Sequence, residues 1–257
     1  MLAHHRGGAG EPLVLLHGIG SQWQMWRPVL GRLEAEREVL ALDLPGFGGS
    51  PELPAGTPPT PEALADAVEA ALDEAGFQTA HVAGNSLGGW IALELAKRGR
   101  ARSACALSPA GFWNRREHAY ATSSLRVSQA SAVLLAPRAE RLLAGGAVRR
   151  VALWQLAARA DRMTAAEAAG SIANLAGSPG WRTTLDAMAE RHFTGAADVR
   201  GPVTVAWGER DRLLLPRQAE RARRALPRAR HLWLTGCGHV PTWDDPGQVA
   251  RVILTSA

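Results

Sequence analysis

Gly84-Asn85-Ser86-Leu87-Gly88 constrains this chain more than any other stretch. It follows the apolar run Ala80-His81-Val82-Ala83 and precedes Trp90-Ile91-Ala92-Leu93-Glu94-Leu95-Ala96, whose composition is that of a helix. A serine between two glycines at a strand-to-helix junction is the nucleophile-elbow pattern. The turn is sharp and strained, and small neighbours let the backbone make it. The hydroxyl then stands clear of the sheet, with a helix N-terminus beneath it. Alone the pattern is weak, because G-x-S-x-G also arises by chance and a serine at this point could simply cap the helix. Partners elsewhere in the chain decide its meaning.

Two partners lie downstream. Val203-Thr204-Val205-Ala206-Trp207-Gly208 reads as a short strand ending at a glycine, with Glu209-Arg210-Asp211 on the following loop. Leu232-Trp233-Leu234 leads through Thr235-Gly236-Cys237-Gly238 to His239. A serine hydroxyl is a poor nucleophile at neutral pH, so an imidazole must take its proton as it attacks. A carboxylate then holds the imidazole in the right tautomer and stabilises the imidazolium. Asp211 competes for that task with Glu209, Asp244 and Asp245. The last two precede Pro246 and are expected to cap the final helix. The chain order Ser86, Asp211, His239 is that of α/β hydrolases and differs from the orders in the two large serine-protease folds.

A fourth element is Leu13-Val14-Leu15-Leu16-His17-Gly18-Ile19-Gly20, a buried-type strand running into His-Gly. Attack on a carbonyl puts negative charge on its oxygen, which preorganised backbone N–H groups stabilise. The expected donors are the N–H of Leu87, just after the serine, and that of Ile19. His17 is expected to shape this loop and not to titrate during turnover.

With these motifs goes Asp43-Leu44-Pro45-Gly46-Phe47-Gly48-Gly49-Ser50, and together they resemble the α/β-hydrolase superfamily in its capped bacterial serine hydrolase form. The resemblance spans nearly the whole chain. It implies a mostly parallel central sheet flanked by helices, with residues 1–111 and 197–257 as the core and residues 112–196 as an inserted helical cap, or lid. It favours Asp211 as the acid, through the pattern Trp-Gly-x-x-Asp; Asp43, whatever the resemblance suggests, reads as a turn-former in its loop. Most members have two antiparallel strands before the His-Gly strand. Here only about ten residues are available, so one short edge strand within residues 3–8 is expected and the first strand should be missing or much reduced.

The resemblance also narrows the chemistry. Dehalogenases and epoxide hydrolases of this fold carry aspartate at the elbow, where this chain has Ser86. Carbon–carbon bond hydrolases of ring-cleavage pathways commonly carry tryptophan after the histidine, where this chain has Val240. The implied activity is hydrolysis of a carboxylic ester or related acyl compound through an acyl-enzyme on Ser86, with no cofactor. The alternatives are hydrolysis of vinylogous diketone acids and a receptor-like ligand-binding member of the fold.

Apolar runs alternating with helical patterns independently indicate a parallel sheet. Strands are expected at residues 12–17, 39–43, 79–83, 102–107, 202–207 and 230–234, and helices at 23–36, 61–75, 87–99, 217–226 and 246–255. Between Gly111 and about Val199 the strand signal vanishes, and alanine, arginine and leucine suggest three to five helices.

The chain has 257 residues and a formal net charge of +5. A single lysine and 28 arginines interleaved with acids argue against a nucleic-acid partner, and Arg217, Arg221, Arg223, Arg224, Arg228 and Arg230 read as a solvated helix face. No apolar stretch reaches the roughly 20 residues of a membrane span, and the N-terminus lacks the apolar run of a signal peptide, so a cytoplasmic setting is expected. Cys105 and Cys237 set no disulfide framework, and no His/Cys spacing suits a metal. Among nine tryptophans, Trp23, Trp26 and Trp113 are candidates, with Val240, to line a substrate pocket, while Trp207 and Trp233 read as core.

Overall fold

The computed structural model describes residues 2–256. Seven strands form one sheet in the order β1-β3-β2-β4-β5-β6-β7. They are β1 His4–Gly7, β2 Pro12–Leu16, β3 Glu38–Leu42, β4 Ala80–Asn85, β5 Ala101–Leu107, β6 Val203–Gly208 and β7 Arg230–Leu234. Only β1 runs antiparallel, pairing His4 with Leu42 and Gly7 with Val39 at the edge. Among the described residues, one four-residue strand, β1, precedes β2.

The inner strands are apolar on both faces because both are covered. Helices α2 Pro61–Glu74 and α3 Leu87–Lys97 pack on one side, around Leu64, Leu72, Trp90 and Ile91. On the other side α1 Arg27–Leu33 and α10 Pro246–Leu254 enclose Trp26, Val29, Leu33 and Val249. Helix α9 Gln218–Ala225 lies between β6 and β7. The expected helix over 23–36 is instead a 3-10 turn, Trp23–Trp26, followed by α1. Pro28 explains the break: inside a continuous helix its ring would meet the carbonyl four residues back, whereas near the start of a new helix it fits.

Between β5 and β6 the described chain contains no strand. Five α-helices fill it: α4 Arg115–Leu135, α5 Ala139–Leu142, α6 Gly146–Ala152, α7 Ala165–Gly177 and α8 Trp181–Ala187. They have their own small core, with Ala132, Leu143, Leu153, Met163 and Ile172 buried. The entrance is pinned twice. Asn114 and Glu117 form a reciprocal capping box at the start of α4. The buried Glu117 carboxylate also accepts from Arg217, at 2.5 Å, and from Arg221. Those two arginines are thus structural ion-pair partners and not part of a purely solvated face.

Candidate active site

The glycines of the elbow are required by its geometry. A Cβ on Gly84 would lie 2.0 Å from the Gly88 carbonyl oxygen, and one on Gly88 would lie 2.2 Å from that of Leu16. Between them Ser86 sits at φ 58, ψ −114, a conformation that L-residues adopt only under constraint. The constraint is visible: Ser86 N–H donates to Leu107 O, and Ser86 O accepts from Trp90 and Ala110. The result carries the side chain past the carboxyl edge of β4 and over the start of α3.

Asp211 and His239 leave the same edge of the sheet, after β6 and β7. Nδ1 of His239 lies 2.7 Å from Asp211 Oδ2, and both side chains are buried. The other Asp211 oxygen accepts from the N–H groups of Leu213 and Leu214 at 2.9 and 2.8 Å. The carboxylate is thereby oriented on both sides, and Nε2 is left as the ring nitrogen available to a substrate or to Ser86. Ser86 and His239 line one cavity of about 110 Å³. No hydrogen bond joins Ser86 Oγ to the ring among the described residues; such contacts commonly tighten only when substrate binds.

The rival acids have other partners. Glu209 is exposed and accepts from Gly236 N–H, at 2.9 Å. Asp245 caps α10 through Gln248 N–H, at 2.8 Å. Asp244, expected beside it as a cap, does something different. Its buried carboxylate accepts from Gly238 N–H at 2.6 Å, and from Arg159 and Ala158 N–H at 2.6 and 3.1 Å. Burial raises its pKa against the pull of these donors. Asp244 thus joins the histidine loop to the chain between α6 and α7. Val240 N–H to Leu156 O, at 2.7 Å, is a second bond across that seam. Asn85 adds a third hold on the histidine, its amide donating to His239 O at 2.9 Å and to Leu107 O at 3.0 Å.

The β2 loop comes close to the serine, since a Cβ on Gly18 would lie 3.2 Å from Ser86 Cβ. His17 fixes this loop from within. Its Nδ1 is 2.7 Å from Gly18 O and its Nε2 accepts from Leu44 N–H at 2.9 Å, so Nδ1 carries the proton and donates. In a trans peptide the N–H points opposite to the C=O. With Gly18 O held towards His17, the Ile19 N–H is turned away from it. Asp43 anchors the neighbouring loop, accepting from Trp23 N–H at 2.7 Å and Gly49 N–H at 2.9 Å.

Full burial pushes the His17 pKa below the ordinary imidazole value of 6.5, so the folded protein holds it neutral. Below that pH the unfolded chain takes up a proton that the folded chain refuses. Stability is therefore present above pH 6.5 and lost as pH falls through it. His81 is buried and shifted in the same direction, for the same reason. We expect Tm to decline from pH 7.5 to 5.5, and His17→Gln to show a shallower decline from a lower starting value. Equal slopes in the two proteins would show that His17 is not linked to folding.

Of the pocket candidates Val240 lines the cavity, as does the oxyanion-hole candidate Ile19, whereas Trp23, Trp26 and Trp113 do not. Trp26 is fully buried behind the sheet. Trp23 stacks on His5 with ring centroids 5.0 Å apart. Trp113 packs edge-on to Trp90 and donates to Arg191 O at 3.0 Å, tying together the two ends of the insertion. Trp207 is core, but Trp233 is 47% exposed because β7 is an edge strand. The cavity wall comes instead from Met25, Trp243, Leu213 and, across the insertion, from Leu125, Leu156 and Leu175. Cys237, behind the histidine, is a buried thiol pushed up to about 12, too high to supply a thiolate.

A parallel sheet whose carboxyl edge brings together a strained serine, a histidine and a buried carboxylate defines a hydrolase of the α/β class. Residues 13–252 match the alpha/beta hydrolase family, and the chain belongs to it. The epoxide hydrolase EphH of Mycobacterium tuberculosis is 34% identical over 205 residues, which are 75% of this chain and 92% of that protein. The pimeloyl-[acyl-carrier protein] methyl ester esterase of Aromatoleum aromaticum is 32% identical over 248 residues, covering 94% of this chain and 96% of that one. Among solved structures, a thermophilic esterase from Thermogutta terrifontis superposes with a TM-score of 0.76 at 25% identity, covering 99% of this chain and 92% of its own.

Proposed function

We propose that the protein hydrolyses uncharged carboxylic esters through an acyl-enzyme on Ser86. His239 is the general base and then the acid, Asp211 is its orienting partner, and the N–H groups of Ile19 and Leu87 form the oxyanion hole. In the first half-reaction Ser86 Oγ attacks the carbonyl carbon while His239 Nε2 takes its proton. The carbonyl oxygen gains the negative charge, which the two N–H groups stabilise. Collapse breaks the ester C–O bond, and the imidazolium hands its proton to the departing alcohol. In the second half-reaction His239 deprotonates a water, which attacks the acyl-enzyme. The acid leaves and Ser86 regains its hydrogen. The insertion, as the roof of the cavity, serves as the lid that selects substrates.

One observation carries the choice of substrate class: among the described residues lining the cavity, His239 is the only ionisable one. A ring-cleavage acid would bring its carboxylate into a wall without arginine or lysine, leaving a charge unpaired in a largely apolar site. Epoxide opening by Ser86 would form an ether, which water does not readily cleave, whereas the acyl-enzyme is an ester that it can. The name of the Aromatoleum relative agrees with ester chemistry, and the name of the mycobacterial one does not.

The test is turnover of p-nitrophenyl esters of graded chain length beside a vinylogous diketone acid and a styrene-type epoxide. We expect saturable ester turnover and at most traces with the other two. Selective cleavage of the diketone acid would overturn the assignment, and binding of the esters without turnover would point to a receptor-like role.

A further inference from the structure

The outer surface of the insertion is unlike the rest of the molecule in two independent ways. Among the described residues ten large apolar side chains stand exposed, and nine of them lie between residues 120 and 154. On α4, Tyr120, Val127 and Leu134 recur at seven-residue steps and so share one face, with Leu134 79% exposed. On α6, Val148 and Val151, followed by Trp154, recur at three-residue steps. The two rows meet where Gln155 bonds to Tyr120 and Ser124. The same helix α4 lines the cavity from within through Leu125 and Ser128. It meets the cavity with Leu125 and Ser128 and also carries an exposed apolar row towards solvent, which a roof built only to face water would not need.

The second difference is charge. Residues 112–196 hold eleven arginines and six carboxylates, while the remainder holds 18 basic and 18 acidic residues, so the whole net charge of +5 belongs to the insertion. Arg138, between α4 and α5, and Arg141, in α5, are exposed, as are Leu134 and Leu142. Basic residues around exposed leucine, valine and tryptophan suit the interface of an anionic lipid surface, where apolar side chains enter the headgroup boundary and arginines meet phosphates. The same charge disfavours a second copy as the occupant, because a two-fold contact places the patch against itself and opposes like charges.

We propose that this face docks on anionic lipid and that the substrate is a lipophilic ester taken up from that surface. The docking stands independently of the chemistry, while the substrate class rests on the ester-hydrolase reading above. In this arrangement α4 stands between the lipid and Ser86, so a substrate would leave the surface beneath the helix whose inner side lines the acyl pocket.

The test is co-sedimentation with vesicles of phosphatidylcholine alone and of phosphatidylcholine with phosphatidylglycerol. It is run on the Ser86→Ala protein so that binding is read without turnover. We expect binding to the anionic vesicles only, weakened by high salt. Replacing Arg138 and Arg141 together by glutamine should weaken it by about tenfold or more, and Val127→Glu with Leu134→Glu should abolish it. In the Ser86 background these surface changes should leave turnover of a short, water-soluble ester unchanged, which also shows that the variants fold. Equal binding to neutral vesicles, indifference to these substitutions or no sedimentation at all would each overturn the docking. A dimer in solution dissociated by Leu134→Glu would overturn it too, and would assign the face to a second copy. Docking without turnover of any lipophilic ester would leave the surface standing and remove the ester reading alone.

Discussion

Ser86→Ala is expected to leave a folded protein whose kcat on the best ester is lower by about 10⁴- to 10⁶-fold. Loss of the attacking group in a site that works as a unit leaves only the acceleration from binding and the oxyanion hole. Folding should survive, because the strained backbone at residue 86 is held by main-chain bonds to Leu107, Trp90 and Ala110 and not by the hydroxyl. Alanine tolerates φ 58 no better than serine, so the strain itself is unchanged. The measurement is single-turnover and steady-state kinetics beside thermal unfolding, with phosphonate labelling and peptide mass mapping as an independent readout. Near-normal turnover by a well-folded variant, or label on another serine, would refute the assignment of the nucleophile.

The second large effect belongs to Asp211→Asn. An amide in place of the carboxylate keeps the volume, but its NH2 can turn towards Nδ1 and impose the wrong imidazole tautomer. In the serine-protease precedent that change costs about 10⁴ in kcat, and a fall of about 10³- to 10⁴-fold is expected here with KM little altered. Glu209→Gln should matter least, since Glu209 is exposed and bonds to Thr235 and Gly236. Asp244→Asn should be intermediate. One amide oxygen cannot accept from the N–H groups of Ala158, Arg159 and Gly238 as two carboxylate oxygens do. A buried donor left unpaired costs about 1–3 kcal/mol, so Asp244→Asn should lower Tm as well as kcat. Collapse of activity in Glu209→Gln with Asp211→Asn intact would move the acid two residues back along the loop.

Much of this candidate site is legible in the sequence, for reasons tied to particular residues. Gly84 and Gly88 are needed because their neighbours leave no room for a Cβ, and such needs leave a mark in the sequence. The strands were legible because sheets buried on both faces demand unbroken apolar runs. Asp244 was misread because its role depends on Ala158 and Arg159, which lie 86 and 85 residues away and reach it only through the fold. The tryptophans were misplaced because an aromatic near a loop carries no sign of which way it points. Trp26 turns inward, Trp23 towards His5, and the cavity wall falls to Met25, Leu213 and Trp243 of the core and to leucines of the insertion. An alanine- and leucine-rich helix has several faces that could pack, and periodicity alone does not choose among them.

The seam at Asp244 bears on how such enzymes can be recombined. The Asp244 carboxylate accepts from Ala158 and Arg159 N–H, Val240 N–H donates to Leu156 O, and a Cβ on Gly238 would lie 2.9 Å from Ala158 N. A roof grafted from a relative between β5 and β6 would bring its own counterpart of residues 156–159 and meet a histidine loop that does not match it. The histidine loop would then lose its outer support even if every residue of the β-sheet scaffold were kept. Chimaeras should work only when residues 153–163 and 236–245 travel together as one cassette, so the practical unit of exchange is discontinuous in sequence, and crossover points chosen from the strand boundaries alone would miss it.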